Sequence, residues 1–273
     1  MKRPAPLAPA LAMLTALNLA GCEPPAAGEP AVRAELGDAR QSAATAPSLQ
    51  SDCRALEFEG SRFTHCVADS ETHTIRMELA GADGAPLRSL SALSAEVDDE
   101  RVAFAMNGGM YDDASQPIGY YVEDGERLAP LNRAEGGGNF HLLPNGVFFG
   151  NDGEWAVRSS DAFFDEVSQR PRFGTQSGPM LLIDGDIHPE ITQNGPSRKT
   201  RNGVGVDAQG RAHFAISEEP VSFGRFARLF RDRFETPNAL FLDGTVSALW
   251  DPASNRIDAT APLGPMIVVE KRP

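Results

Sequence analysis

The sequence predicts an α+β fold: a mixed, strand-rich sheet with a few packed helices, in a single domain. Short apolar runs, several alternating with polar residues, recur between Gly- and Pro-containing turns from residue 52 onward. Three segments show helical spacing of apolar residues. No internal repeat is present, and no later stretch is long and apolar enough to span a bilayer.

The chain opens outside that fold. Lys2 and Arg3 precede an apolar stretch over 7–20, which ends Leu19-Ala20-Gly21-Cys22. A short charged start, an apolar core and small residues before cysteine resemble a bacterial lipobox. The expectation is a signal peptide over 1–21, a lipidated Cys22 and a tether over 22–50 rich in Ala, Pro, Gly, Glu and Ser. The folded domain is expected over 51–273, in the periplasm or outside the cell and held to the membrane only through lipid. Export leaves Cys53 and Cys66 in an oxidising compartment, where a disulfide is the expected pairing. The segment between them reads as two short strands around a Gly60-Ser61 turn, which would bring the sulfurs together.

Strands follow over 74–79, 102–106, 118–122, 145–149, 155–157 and 180–183. A hairpin over 204–216 turns at Ala208-Gln209-Gly210, and strands over 239–242 and 266–269 close the sheet. Leu90, Leu93 and Val97 predict a short helix over 89–98. A second helix is expected over 161–169, stopped by Pro171. The third, over 222–234, carries Phe223, Phe226, Ala227, Phe230 and Phe234 on one face, with Ser222 as N-cap.

With 25 Lys and Arg against 38 Asp and Glu, the formal net charge is −13. Nucleic acid is excluded as a partner, because it needs a cationic surface. An anionic substrate is not, because local charge decides that. There is no Gly-x-Ser-x-Gly elbow, phosphate-binding P-loop or His-Glu-x-x-His, and the five histidines lack metal-ligand spacing.

Two strand ends stand out. Ala103-Phe104-Ala105-Met106 runs into Asn107-Gly108-Gly109, and Ala239-Leu240-Phe241-Leu242 into Asp243-Gly244. Such ends put polar side chains at a sheet edge, where glycine lets a ligand approach. Gln176-Ser177-Gly178 precedes another strand. Ser197-Arg198-Lys199-Thr200-Arg201-Asn202-Gly203 is the only dense basic cluster, and an arginine fork suits a phosphate or carboxylate. Glu218 and Glu219 end the other strand of that hairpin. His141 follows the Gly136-Gly137-Gly138 loop and could approach a substrate.

The order Asn107-Gly108-Gly109-Met110-Tyr111, Pro117-Ile118-Gly119, Pro144-Asn145-Gly146-Val147, Gln176-Ser177-Gly178-Pro179-Met180-Leu181, 198–207 and Leu242-Asp243-Gly244 resembles the phosphodiester glycosidase family. The resemblance covers roughly 52–270. It implies a hydrolase that cleaves a glycosidic bond to phosphate in an envelope sugar phosphodiester. It places Arg201 and Arg198 on the phosphate and Asp243 at the anomeric carbon, with Glu218 as second carboxylate. Asn107, Gly108, Gly109, Gln176, Ser177, Gly178, Asn202, Gly244, Ser247 and His141 are its expected substrate contacts. The chain departs from the family pattern in two places. Asn202 stands where threonine is usual, and Asp243-Gly244-Thr245-Val246-Ser247 has lost two glycines. Two other readings stay open: a non-catalytic lipoprotein binding glycans or phosphate-bearing polymers, and a calcium or magnesium site at Asp243, Asp112 and Asp113.

Overall fold

The computed structural model describes residues 50–259 and 261–273. The expected signal peptide, Cys22 and all of the tether but its last residue lie outside them. Three antiparallel sheets make up the described chain. The largest has seven strands, in the order Cys53–Phe58, Ser61–Ala68, Ala212–Ser217, Asn202–Val206, Asn238–Phe241, Met180–Ile183 and Asp186–Ile187. A second has five: Arg256–Ile257, Leu249–Asp251, Val102–Asn107, Met266–Lys271 and His73–Glu78. The third orders Glu126–Ala129, Tyr121–Glu123, Phe173–Ser177, Gly146–Asn151 and Glu154–Ser159.

Side-chain alternation explains how the sheets pack. Phe104, Met106, Ile267 and Val269 enter the central core with Val204, Phe214, Leu240, Phe148 and Phe173. Ala105, Met266 and Val268, on the opposite face, cover the helix residues Leu90 and Leu93. The seven-stranded sheet turns Leu181, Ala215, Ala239 and Phe241 outward onto Phe226, Ala227 and Phe230. The third sheet sets Val122 and Val147 against Phe163. Each sheet therefore gives one face to a common core and the other to a short helix. The mixed, strand-rich α+β class expected from the sequence is the one observed.

Several boundaries differ from expectation. The Cys53–Cys66 disulfide is present, across a hairpin that pairs those residues directly. Its turn lies one residue earlier than expected, at Glu59 and Gly60, both at positive φ. Of the strand expected over 118–122, only Tyr121 and Val122 join a ladder, within the strand Tyr121–Glu123. Pro117 has no N–H to give, and the groups after it bond elsewhere: Ile118 N to the Met110 carbonyl and Tyr120 N to Gln176 Oε1. The second helix stops at Glu166, where Val167 turns extended to pack beside Phe163. The third runs α-helical over Phe223–Arg228 and then widens into one π-turn, Leu229–Arg233. The wider turn carries Phe234 onto His65, with ring centroids 4.1 Å apart.

His65 belongs to a buried chain of three groups. Its Nε2 lies 3.0 Å from His213 Nδ1, and His213 Nε2 lies 3.0 Å from Asp207 Oδ2. Burial, then the neighbouring His213, pushes His65 from 6.5 down to about 3. Burial also lowers His213. The folded state therefore takes up protons less readily than the unfolded chain. The stability these two neutral histidines contribute is full above pH 6.5 and is lost as pH drops from 6.5 toward 3. The urea midpoint of the wild type should decline between pH 6.5 and 5, and His65→Phe should shrink that decline. An unchanged slope in the variant would place the pH dependence on other groups.

Candidate active site

The site lies where the seven- and five-stranded sheets meet at their ends, and buried Asn107 joins them. Its Nδ2 donates to the Asp243 carbonyl at 2.8 Å, and its Oδ1 accepts from Asn202 Nδ2 and Ala248 N, both at 2.9 Å. Asn202 Oδ1 accepts from the Ser247 hydroxyl at 3.3 Å, and that hydroxyl also reaches the Gly244 carbonyl at 3.0 Å. Asp243 N closes the arrangement on the Gly108 carbonyl at 3.2 Å. Three residues expected to touch substrate, Asn107, Asn202 and Ser247, thus hold the 243–247 turn in place.

Asp243 caps that turn. Its Oδ1 accepts from Thr245 N at 3.2 Å, at the start of the short 3₁₀ helix Gly244–Val246. Burial raises the Asp243 carboxyl above its ordinary value, opposed by hydrogen bonds from the Thr245 backbone and side chain. Tyr111 is the charged or titratable neighbour that feels it: burial and the Asp243 charge push its phenol up to about 12. Tyr111 donates its hydroxyl hydrogen to the Pro262 carbonyl.

Arg201 is the only arginine or lysine buried among the described residues, at 1% exposure. Its Nε donates to the Val221 carbonyl at 2.9 Å, and Nη2 to the Ser197 carbonyl and hydroxyl at 3.1 and 3.4 Å. The guanidinium carbon lies 3.5 Å from the centroid of the Phe223 ring and 5.5 Å from that of Phe241. No carboxylate of the described residues pairs with it. Burial alone pulls its pKa down to about 10, so it stays charged at neutral pH. The Nη1 donors have no hydrogen bond among the described residues.

Beside this guanidinium is a cavity of about 330 Å³, lined by Arg201, Lys199, Thr200, Phe223, Asn139 and Thr245 among others. Gly244 also lines it. The cavity therefore joins a cationic wall to the turn that carries Asp243. A larger depression, about 710 Å³, opens elsewhere, beside Arg133, Glu135 and Ser159. Its arginine is already matched, Arg133 Nε to Asp161 Oδ1 at 2.7 Å, so it offers no comparable charge.

Most of the other expected contacts are occupied by protein. Gln176 uses both ends of its amide: Oε1 accepts from Tyr120 N and Asn132 N, and Nε2 donates to the Asn132 carbonyl and Ser160 Oγ. Glu218 accepts from Arg256 and from the Thr64 hydroxyl, both at 2.6 Å, rather than meeting Arg201. His141 turns its Nδ1 to the Ala134 carbonyl at 2.8 Å. Arg198 is exposed and does not line the cavity. Ser177 is buried, its hydroxyl without a partner among the described residues. The glycines make room for protein. A Cβ on Gly109 would lie 2.1 Å from the Gln176 carbonyl oxygen, and one on Gly244 2.4 Å from the Phe241 ring. Gly108 and Gly178 are crowded by the Pro265 and Phe140 carbonyls.

Asp112 Oδ1 accepts from Ala114 N and Gln116 N within its own loop. Among the described residues no three His, Cys, Asp or Glu side chains come together as a metal site would need. Lys199, Thr200, Phe223, Thr245 and Asn139 went unassigned in the sequence. The first two lie inside the basic cluster, and Thr245 follows Asp243-Gly244. Phe223 carries an ordinary core signal, and Asn139 belongs to the glycine loop that leads to His141.

Gly244 and Thr245, the two residues after Asp243, thus border the same small cavity as an arginine without a carboxylate partner. The phosphodiester glycosidase family model matches residues 100–270, and the chain belongs to that family. It is 36% identical over 207 residues to the uncharacterized protein YigE of Escherichia coli (strain K12), covering 76% of this chain and 81% of that one. Its fold is shared with the catalytic domain of zebrafish N-acetylglucosamine-1-phosphodiester alpha-N-acetylglucosaminidase, auto-inhibited by its pro-peptide. That match has a TM-score of 0.55 at 15% identity, over 84% of this chain and 85% of that one. A hypothetical protein from Synechocystis matches with a TM-score of 0.52 at 14% identity, over 81% and 61%.

If Asn107 holds the two sheets together, Asn107→Ala should lower unfolding stability by at least about 2 kcal/mol. It strands the Asn202 amide and the Ala248 N–H away from water. A loss within about 0.5 kcal/mol, the range of an ordinary surface change, would deny the network that role.

Proposed function

We propose that the protein hydrolyses the bond between a sugar's anomeric carbon and a phosphodiester oxygen, releasing free sugar and a phosphate monoester. One observation carries this reading: a desolvated arginine without a carboxylate lines the same cavity as the turn capped by Asp243. A phosphate leaving group is good already, so protonating it matters less than for an ordinary glycoside. Arg201, with Lys199 at the rim, stabilises the negative charge that collects on phosphate as the bond breaks. Asp243 acts as a carboxylate at the anomeric carbon, as nucleophile, base or stabiliser of the oxocarbenium ion. Water supplies the oxygen that ends on the sugar, and the bonding pair leaves with the phosphate.

Export belongs to the same proposal. The disulfide suits an oxidising compartment, and no helix of the described residues is long and apolar enough to cross a membrane. A lipid on Cys22 would hold the domain at the cell envelope. The alternative, a binder that holds sugar phosphates without cleaving them, draws on Thr245 and Val246 standing where the family pattern has glycines.

Asp243→Asn should reduce turnover of glycosyl phosphodiesters by about 100-fold or more while leaving the fold intact by circular dichroism. Wild-type rates in that variant would refute the role given to Asp243. Activity should rise with pH through an apparent pKa above the ordinary aspartate value of 3.8, because burial lifts that carboxyl. Arg201→Gln should lose far more on a phosphodiester than on an aryl glycoside. Equal losses would mean that Arg201 does not meet phosphate.

A further inference from the structure

The side chains expected to read sugar hydroxyls are already satisfied. Asn107, Gln176 and Ser247 spend their hydrogen bonds on the protein. A sugar in the cavity therefore needs a different polar group.

Asn139 has the right properties. It is exposed and lines the cavity with Arg201 and Thr245, and its side-chain amide makes no hydrogen bond among the described residues. Its backbone is nevertheless fixed. The Asn139 carbonyl accepts from Leu142 N at 3.2 Å, and Phe140 next to it is 3% exposed. The Phe140 carbonyl accepts from Asn145 Nδ2 at 3.1 Å. A Cβ on Gly178 would lie 2.7 Å from that carbonyl oxygen and 3.1 Å from the Asn139 carbonyl oxygen, so the strand turn sits directly against this backbone. The backbone thus fixes where the side chain starts, and its amide is left unspent for a ligand. An amide offers a donor and an acceptor together; neighbouring sugar hydroxyls use both, whereas a phosphodiester, which only accepts, uses the donor alone. The cavity, about 330 Å³, is at the small end for ligand sites. That suits one glycosyl unit with its phosphate rather than a longer glycan.

We infer that Asn139 is the specificity residue of this cavity, hydrogen-bonding the hydroxyls of a single glycosyl unit whose phosphate rests on Arg201. The inference rests on the sugar-phosphate reading above but not on catalysis. The test is titration calorimetry of the whole protein with glucose 1-phosphate, galactose 1-phosphate and glycerol 1-phosphate. The wild type should bind at least one hexose phosphate about tenfold more tightly than glycerol phosphate. Asn139→Ala should cut that gap to about threefold or less while its glycerol phosphate affinity stays at the wild-type level, which also shows the cavity intact. A variant that keeps the full gap overturns the inference, as does a wild type with no gap. Turnover of a glycosyl phosphodiester is scored separately. No turnover with the gap present removes the hydrolase and leaves Asn139 as the reader. Turnover with a gap unaffected by Asn139→Ala does the reverse.

Discussion

A guanidinium buried without a carboxylate is the constraint around which this site is organised. Taking a cation out of water is costly unless its donors are satisfied. Arg201 meets part of that cost with the Val221 and Ser197 carbonyls, the Ser197 hydroxyl and the face of Phe223. What remains is positive charge facing a small cavity in a chain whose net charge is −13. A protein that used Arg201 only as structure would gain by pairing it with one of its many acids. Here Glu218, which follows Ser217, whose N–H donates to the Arg201 carbonyl, bonds Arg256 instead.

The second requirement is that the turn following Asp243 be held at the wall of the same cavity. The Asn107, Asn202 and Ser247 side chains do this by fixing backbone. They bind the Asp243 and Gly244 carbonyls and join the strand ends of two sheets, so the position of the turn follows from sheet register. Asp243 then spends one oxygen on its own 3₁₀ cap. The loss of two glycines from the family pattern has separate consequences at each position. Val246 enters the core beside Trp250, while Thr245 is exposed and forms part of the cavity wall.

Much of the fold was legible in the sequence. Alternation in 74–79 and the unbroken apolar runs at 102–106 and 239–242 report burial directly, and those strands formed within a residue of expectation. Division into three sheets was not legible, because strand pairing depends on contacts far apart in the chain. Within the site, the strand-end logic singled out Asn107 and Asp243 but could not say which polar groups would be satisfied internally. Glycine beside a polar residue looks the same whether a ligand or a neighbouring strand approaches it. Gly109 against Gln176 is the second case. Asn139 escaped notice because its role depends on an unused amide, a property only tertiary structure reveals.

A crystal structure of the protein soaked with a hexose 1-phosphate should show phosphate oxygens within hydrogen-bonding distance of Arg201 Nη1 and the anomeric carbon turned toward the Asp243 carboxylate. Phosphate bound instead beside Arg133 in the larger depression, with the Arg201 cavity holding only water, would contradict the role given to Arg201.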